Sequence, residues 1–272
     1  MQCISPINIR NPNGDGTRIT VPCGKCYPCL SNRRNAWTFR LQQEAKKSIA
    51  SFFITLTYED GKTDGNVYKR DIQLFLKRFR KSINPIKFKY YLTSEYGTNT
   101  FRPHYHMLIF FRCSIDRNKL IDKMLKSWDN GYIDVGKVSQ ASIHYCTKQH
   151  ISKLSSPDGL NATFCLMSKR PAIGIDYISH TKKYHRQDLE HAFVTLEGGF
   201  KQTMPRYYKD KLYTKLEKQI LAKKYPPKDF VDRKRYFELN PTHTFSMYCK
   251  YLNEFIEMQQ NKIHKTNKKD KL

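Results

Sequence analysis

The chain has 272 residues, which is long enough for one large domain or for a catalytic core with extensions, and it can bury a substantial core. Its 49 lysine and arginine residues outnumber its 24 aspartate and glutamate residues and give a formal net charge of +25. Because a charge of this size repels itself in a folded chain, it indicates a polyanionic partner, and nucleic acid fits best. No apolar run is long enough to span a bilayer, which disfavours a membrane protein.

Residues 1–20 are polar and contain a cluster of turn-forming residues instead of the apolar stretch of a signal peptide. We therefore expect the protein to work in a reducing cytosol. Its eight cysteines are then expected to be thiols or metal ligands and not disulfides.

A cluster of cysteines lies near the start of the chain. Cys23, Cys26 and Cys29 follow one another at two-residue intervals, and a Gly-Lys pair fills the first interval as in a zinc knuckle. A tetrahedral site needs a fourth ligand, for which Cys3 is the nearest candidate. The sequence predicts a structural zinc site, with free thiols or an iron–sulfur cluster as the alternatives.

A helix is predicted from an N-cap at Ser31 to about Ser48. Its buried face would carry Trp37, Leu41 and Ala45 at helical spacing. Three arginines occupy its remaining surface, either as phosphate contacts or as an ordinary solvated face: Arg33, Arg34 and Arg40.

Strands and helices alternate over the next hundred residues. The predicted elements are a strand over 51–58, a helix over 71–84, strands over 87–96 and 101–111, a helix capped by Ser114, a strand over 132–138, and a short helix over 141–148 capped by Ser139. This order predicts an α+β fold with a ferredoxin-like, split-βαβ core, in which helices flank a central antiparallel sheet.

The strand over 101–111 carries a pair of histidines. His104 and His106 are two residues apart and face the same side of the strand, whereas Tyr105 faces the other side and is predicted to pack. Residues 107–111 are all apolar, which predicts a central strand covered on both faces. Two neighbouring imidazoles on such a strand are half of a metal site.

A third ligand is predicted across the hairpin. Glu95 lies near the end of the preceding strand, where it would complete a set of two histidines and one carboxylate that leaves coordination positions open. The alternative is an ion pair between Glu95 and Arg102. On the helix over 141–148, Tyr145 and Lys148 are three residues apart and share a face.

The chain is less informative beyond residue 150. Lys169 and Arg170 lie in a basic loop that is predicted to touch single-stranded DNA, with Tyr177 and His180 as stacking surfaces. Helices are predicted over 206–224 and 244–260, followed by a lysine-rich mobile tail from 262.

Three segments resemble the motifs of a known superfamily. Phe-Phe-Ile-Thr-Leu-Thr at 52–57, Pro-His-Tyr-His at 103–106 and Tyr-Cys-Thr-Lys at 145–148 resemble, in order, the three motifs of the HUH endonucleases that initiate rolling-circle replication. Segments 21–26, 94–97, 168–174 and 204–208 are similar to the replication initiators of small single-stranded DNA phages, the gokushovirus branch of the microviruses. The resemblance covers most of the chain.

The resemblance implies a metal-dependent nicking reaction. His104, His106 and Glu95 would hold Mg²⁺ or Mn²⁺ against the scissile phosphate, and Lys148 would screen its charge. The Tyr145 hydroxyl would attack the phosphate, remain on the 5′ end as phosphotyrosine and leave a 3′ hydroxyl that primes synthesis, and the reverse attack would rejoin the strand.

The resemblance also implies partners and a division of the chain. Single-stranded DNA, origin duplex DNA and host helicase and polymerase are the expected partners, in the cytoplasm of the bacterial host cell. The chain would comprise a cysteine-rich segment with a basic helix (1–48), the HUH nicking and joining core (49–150) and a basic, largely helical extension with a mobile tail (151–272).

One position departs from the family pattern. Related initiators can carry a second tyrosine one helical turn before the nucleophile, and Ala141 stands at that position. The rival interpretation is a non-catalytic nucleic-acid-binding module with structural histidines. A cupin-like oxygenase also pairs histidines on a strand, but its all-β pattern and ordinary charge do not match.

Overall fold

The computed structural model describes residues 3, 6–12, 16–97, 99–152, 158–224 and 228–269, with side chains except at 149–152, 228–232, 259–260 and 262–269. The chain divides into two compact units: Met1–Arg33 together with Tyr213–Leu272, and Arg34–Leu212. The sequence-based division at residues 48 and 150 concerns functional segments and stays a prediction.

The described elements alternate along the chain. The strands are β1 (Ile7–Arg10), β2 (Arg18–Val21), β3 (Ala50–Tyr58), β4 (Phe88–Tyr96), β5 (Pro103–Phe111), β6 (Gly131–Lys137), β7 (Cys165–Met167), β8 (Phe193–Thr195) and β9 (Lys201–Thr203). The helices are α1 (Tyr27–Lys47), α2 (Lys69–Ser82), α3 (Arg117–Leu125), α4 (Gln140–Ser152), α5 (Asp176–Gln187), α6 (Arg206–Leu212), α7 (Lys215–Lys224), α8 (Lys228–Leu239) and α9 (Phe245–Lys269), with a 3₁₀ turn at Leu189–His191.

A five-stranded sheet forms the centre of the second unit. Its strand order is β6-β3-β5-β4-β7, and every neighbouring pair is antiparallel. Because β5 lies between β3 and β4 and is antiparallel to both, β3 and β4 are parallel to each other and α2 connects them. This is the split-βαβ arrangement, so the predicted α+β class with a central antiparallel sheet flanked by helices is confirmed.

The sheet is covered on both faces, as the apolar run in β5 predicts. On one face, Met107 and Ile109 pack in a cluster with buried residues of α2 and α3, among them Phe75 and Met124. On the other face, the alternate β5 residues Leu108 and Phe110 pack with residues of α1 and α4. His104 and His106 have the same parity as Leu108, so they lie on the face covered by α1 and α4.

A buried carboxylate fastens α1 to this second face. Glu44 is 1% exposed and accepts hydrogen bonds from Lys89 at 2.9 Å, from Arg112 at 2.6 Å and from the backbone N–H of Gly174 at 2.7 Å. Gly174 has a positive φ of 70°, and a Cβ there would lie 2.7 Å from the carbonyl oxygen of Arg40. The close approach therefore requires glycine.

Two predicted helix caps are wrong. The helix α1 begins at Tyr27 and contains Ser31 as a buried residue, because Pro28 is compatible with the first turn of a helix. The N-cap of α3 is Asp116, whose side chain accepts a hydrogen bond from the backbone of Lys119, and not Ser114.

The single helix predicted over 206–224 is two helices, α6 and α7. Thr214 and Glu217 form a capping box in which each side chain accepts a hydrogen bond from the other's backbone N–H, and this starts α7. The helix α9 extends to Lys269, through most of the predicted tail, whose mobility stays a prediction; residues 270–272 lie outside the described residues. In the part of the chain that the structure describes, no helix has the length and apolar content to cross a membrane.

Candidate active site

The β4–β5 hairpin brings a carboxylate and two imidazoles together. Glu95 is the direct cross-strand partner of His104, and His106 lies two residues farther along the same face. Oε2 of Glu95 is 3.7 Å from Nε2 of His104 and 3.5 Å from Nε2 of His106. These three side chains can each offer a ligand atom, all within 4.8 Å of one another, which is a suitable arrangement for one metal ion.

The other ring nitrogens of the histidines make contacts that orient the rings. Nδ1 of His104 lies 3.1 Å from the carbonyl oxygen of Arg102, and Nδ1 of His106 lies 3.2 Å from the hydroxyl of Thr55 on β3. A carbonyl only accepts, so Nδ1 of His104 carries the proton and Nε2 presents its lone pair. Such contacts fix the tautomer that a metal ligand needs.

An unsatisfied buried nitrogen supports a metal ion at this site. Nε2 of His106 is buried, and no group among the described residues forms a hydrogen bond with it. Buried polar atoms without partners are uncommon in folded proteins. A divalent cation would use this lone pair, so the residues present fit the metal that the sequence predicts.

The charges of the three groups are coupled. Burial acts to raise the pKa of Glu95, but the hydrogen bond with His104 and the nearby imidazoles outweigh it and hold that pKa below its ordinary value. For His104, burial acts to lower the pKa, and the contact with Glu95 raises it above the usual range. Burial and the neighbouring His104 lower the pKa of His106 to about 4, so His106 is neutral at physiological pH.

A tyrosine from α4 reaches the same carboxylate. The hydroxyl of Tyr145 donates a hydrogen bond to Oε2 of Glu95 at 3.1 Å. Its ring packs edge-on against His106, with a centroid separation of 4.9 Å, and the other neighbour of His106 is Phe53, which stacks on it at 5.4 Å. Tyr145 remains 41% exposed. The phenol is thus held beside the candidate ligands and is still accessible to a substrate.

The alternative partner of Glu95 is engaged elsewhere. Arg102 lies 2.7 Å from Asp60 and donates a hydrogen bond to the carbonyl oxygen of Tyr58. Tyr105 faces the opposite side of β5, where it is fully buried and its hydroxyl lies 2.7 Å from that of Tyr58. The packing role predicted for Tyr105 is confirmed.

Comparisons with known proteins agree on one family. A family model for the replication-associated protein ORF2 matches residues 51–154, which contain β3 to α4. Replication-associated protein VP4 of Bdellovibrio phage phiMH2K is 31% identical, over 77% of this chain and 76% of that protein. The chain belongs to the phage replication-associated proteins. The resemblance to initiators of single-stranded DNA phages is therefore confirmed, and the protein has a role in phage replication.

Two further relatives in this replication-associated family are more distant. ORF2 of Spiroplasma virus 4 is 26% identical, over 76% of this chain and 79% of that protein. ORF4 of Chlamydia phage 1 is also 26% identical, over 71% of this chain and 53% of that protein. No solved structure matches the chain.

The predicted basic contacts of this replication-associated protein occupy different environments. Arg33, Lys169 and Arg170 are exposed, and Arg34 is half-buried. Lys148 is half-buried on α4, one helical turn from Tyr145. DNA contacts by these residues stay predictions.

Arg40 requires a correction. It is only 9% exposed, and its guanidinium donates two hydrogen bonds to the carbonyl oxygen of Ile173 while it lies over the rings of Trp37 and Tyr207. A guanidinium buried and engaged in this way fastens the 168–174 segment to α1. These contacts contradict the predicted phosphate contact.

The two aromatic residues expected to stack on DNA also differ. Tyr177 is half-buried, packs against Phe39 and Tyr208, and its hydroxyl lies 2.9 Å from His185. His180 is exposed. Of the two, His180 retains the exposure that stacking needs.

The four predicted cysteine ligands come together in the first unit. Cys3, Cys23, Cys26 and Cys29 place their sulfur atoms within 4.8 Å of one another. Two residues that orient the candidate active site, Thr55 and Phe53, were not singled out from the sequence. Their shared face of β3, taken together with the Phe-Phe-Ile-Thr-Leu-Thr motif, is the signal that could have indicated them.

Proposed function

We propose that this protein is an HUH-type DNA endonuclease and strand transferase that initiates rolling-circle replication by nicking one strand at the origin. The observation that carries the proposal is the hydrogen bond from Tyr145 to Glu95, because it joins a nucleophile to the carboxylate of a candidate metal site. Its position in phage replication supports the same activity.

Glu95, His104 and His106 would hold Mg²⁺ or Mn²⁺. Such a cation, when bound, supplies a positive charge that polarises the scissile phosphate. The side chain of Thr55 and the backbone of Arg102 keep the imidazole rings in the orientation that this requires. The exposed edge of the site leaves room for a DNA strand.

Tyr145 is the proposed nucleophile. Its oxygen forms a bond to phosphorus while the bond from phosphorus to the 3′ oxygen breaks, so that the 5′ phosphate remains on the protein as phosphotyrosine. A free tyrosine has a pKa of about 10 and is a poor nucleophile at neutral pH, so its proton needs an acceptor. Oε2 of Glu95 is within hydrogen-bonding distance of that proton.

The phosphotyrosine retains the energy of the broken bond. Attack by a 3′ hydroxyl reverses the step, releases Tyr145 and rejoins the strand into a circle. Lys148 would screen the phosphate charge during both steps. The 3′ hydroxyl left by nicking would prime a host polymerase, with a host helicase unwinding the duplex in the bacterial cytoplasm.

The core over 49–150 would carry this chemistry, and the flanking segments would hold the DNA. The net charge of +25 supports phosphate binding along the strand. A non-catalytic nucleic-acid-binding module is the second candidate, and the same charge favours it. Only the activity of Tyr145 separates the two.

The deciding experiment incubates the protein with single-stranded phage DNA and Mn²⁺ and maps the modified residue by mass spectrometry. We expect a nucleotide adduct on Tyr145 and a free 3′ hydroxyl. Tyr145→Phe should abolish the adduct while DNA binding stays within about twofold, because only a hydroxyl is lost. Tyr132→Phe, at an exposed tyrosine of β6, is the matched control and should nick normally. An adduct that persists in Tyr145→Phe would reassign the nucleophile, and DNA left intact by the unmodified protein would favour the binding module.

A further inference from the structure

Four cysteines from three separate backbone segments converge in the first unit. Cys3 precedes β1, Cys23 follows β2, Cys26 stands immediately before α1, and Cys29 lies in the first turn of α1. The sulfur atoms of Cys3 and Cys26 are 3.8 Å apart, and all four lie within 4.8 Å of one another. The β1–β2 hairpin thus brings both of its ends to the start of the helix.

The separations match the geometry of one ion bound by four thiolates. A tetrahedron with bonds of about 2.3 Å separates its corners by about 3.8 Å. A cluster of several iron atoms would hold the sulfurs farther apart, because each cysteine binds a different iron. None of the four forms a disulfide within the described residues, although they are close.

Backbone N–H groups point at the sulfur atoms. The amide of Cys23 donates to the sulfur of Cys3 at 3.1 Å, and the amide of Cys26 donates to the sulfur of Cys23 at 3.3 Å. Gly24, with a φ of 73°, provides the tight turn between the first two knuckle cysteines. Such N–H contacts favour the charged thiolate that metal binding needs. Four thiolates this close repel one another unless a cation lies between them.

We infer that Cys3, Cys23, Cys26 and Cys29 bind one structural Zn²⁺ ion in a closed tetrahedral site. The ion takes no part in nicking, because all of its coordination positions are filled by cysteine and none is left for substrate. It holds the residues before β1 and after β2 on the N-terminal end of α1. In a segment with four-residue strands and mostly exposed hairpin residues, this bond replaces the missing apolar core.

The test measures the metal content of the full chain after purification without added metal. We expect about one zinc per chain for the unmodified protein and much less than one for Cys26→Ser. Cys113→Ser, at an exposed cysteine after β5, is the matched control and should retain its zinc. His106→Ala should also retain zinc, so this result is independent of whether the nicking proposal succeeds or fails.

A second measurement keeps the inference testable if Cys26→Ser does not fold. Zinc in the unmodified protein is exchanged for Co²⁺, and tetrahedral thiolate coordination should give intense sulfur-to-cobalt charge-transfer absorption together with visible d–d bands. Wild-type protein with reduced thiols that contains no zinc and gives no such spectrum would overturn the inference. Stoichiometric iron in place of zinc, or zinc retained by folded Cys26→Ser, would overturn it equally.

Discussion

Oε2 of Glu95 accepts the hydrogen bond of Tyr145 and lies within 3.7 Å of Nε2 in both His104 and His106. One carboxylate oxygen therefore contacts the proposed nucleophile and both of the candidate imidazole ligands. This arrangement separates two properties of Glu95 that substitution can test one at a time: its ability to accept a hydrogen bond and its negative charge.

Glu95→Gln should reduce cation binding while it preserves the position of the phenol. The amide retains an oxygen that accepts from Tyr145, but it has lost the charge that favours a divalent ion. We expect the Mn²⁺ concentration for half-maximal nicking to rise at least about tenfold, since even residues that only support a ligand have effects of that size. DNA binding without metal, measured by fluorescence anisotropy, should not weaken. An unchanged Mn²⁺ requirement would remove Glu95 from the ligand set.

Thr55→Val should weaken cation binding without any direct contact to the ion. The hydroxyl of Thr55 fixes Nδ1 of His106, and valine has the same shape but no polar group. We expect about a tenfold rise in the Mn²⁺ requirement, with Thr55→Ser restoring it. Thr57→Val, one register pair along β3, is the matched control and should behave like the unmodified protein. Equal effects from both valine substitutions would show a general loss of packing instead.

Sequence alone predicts the centre of this site because the signals are local. His104 and His106 share a face by strand alternation, and the short connection between β4 and β5 places Glu95 directly across from them. The packing of Tyr105 follows from the same alternation. Each inference needed only a strand and its nearest neighbour in the chain.

The features that sequence alone missed depend on distant contacts. Thr55 meets His106 across an interval of 51 residues, and nothing local gives the register of β3 on β5. The arginines of α1 look alike as a basic face, yet Arg40 is covered by Ile173 and Tyr207 from much later in the chain. Surface charge patterns predict solvation only until the fold covers them.

DNA binding should be steeply salt-dependent, and exposed basic residues should contribute measurably to that dependence. Each phosphate neutralised on a single strand adds about 0.7 to the slope of log affinity against log salt, because counterions are released. Substituting Lys169 and Arg170 together with alanine should therefore reduce the slope by about 1.4. The matched control replaces Lys119 and Lys123 of α3, which lies on the sheet face opposite the histidines. A flat salt profile in the unmodified protein would contradict phosphate contacts altogether.

The stability of the fold should fall in mild acid because of His185. This residue is 1% exposed, with Nδ1 2.7 Å from the carbonyl oxygen of His191 and Nε2 2.9 Å from the hydroxyl of Tyr177. Burial holds its pKa below the usual value of about 6.5, against the opposing effect of the carbonyl of His191. The unfolded chain therefore takes up more protons than the folded one below that pH.

The contribution of His185 is fully present above about pH 6.5 and is lost as the pH falls through the lower folded pKa, by at most about 1.4 kcal/mol per pH unit. The check compares urea unfolding midpoints at pH 7.5 and 5.5. His185→Gln should lower the midpoint at the higher pH and shrink the drop between the two, since glutamine does not titrate. His180→Gln, at an exposed histidine of the same helix, subtracts unspecific effects and should retain the full drop. If both variants retain it, another group is responsible for the acid sensitivity.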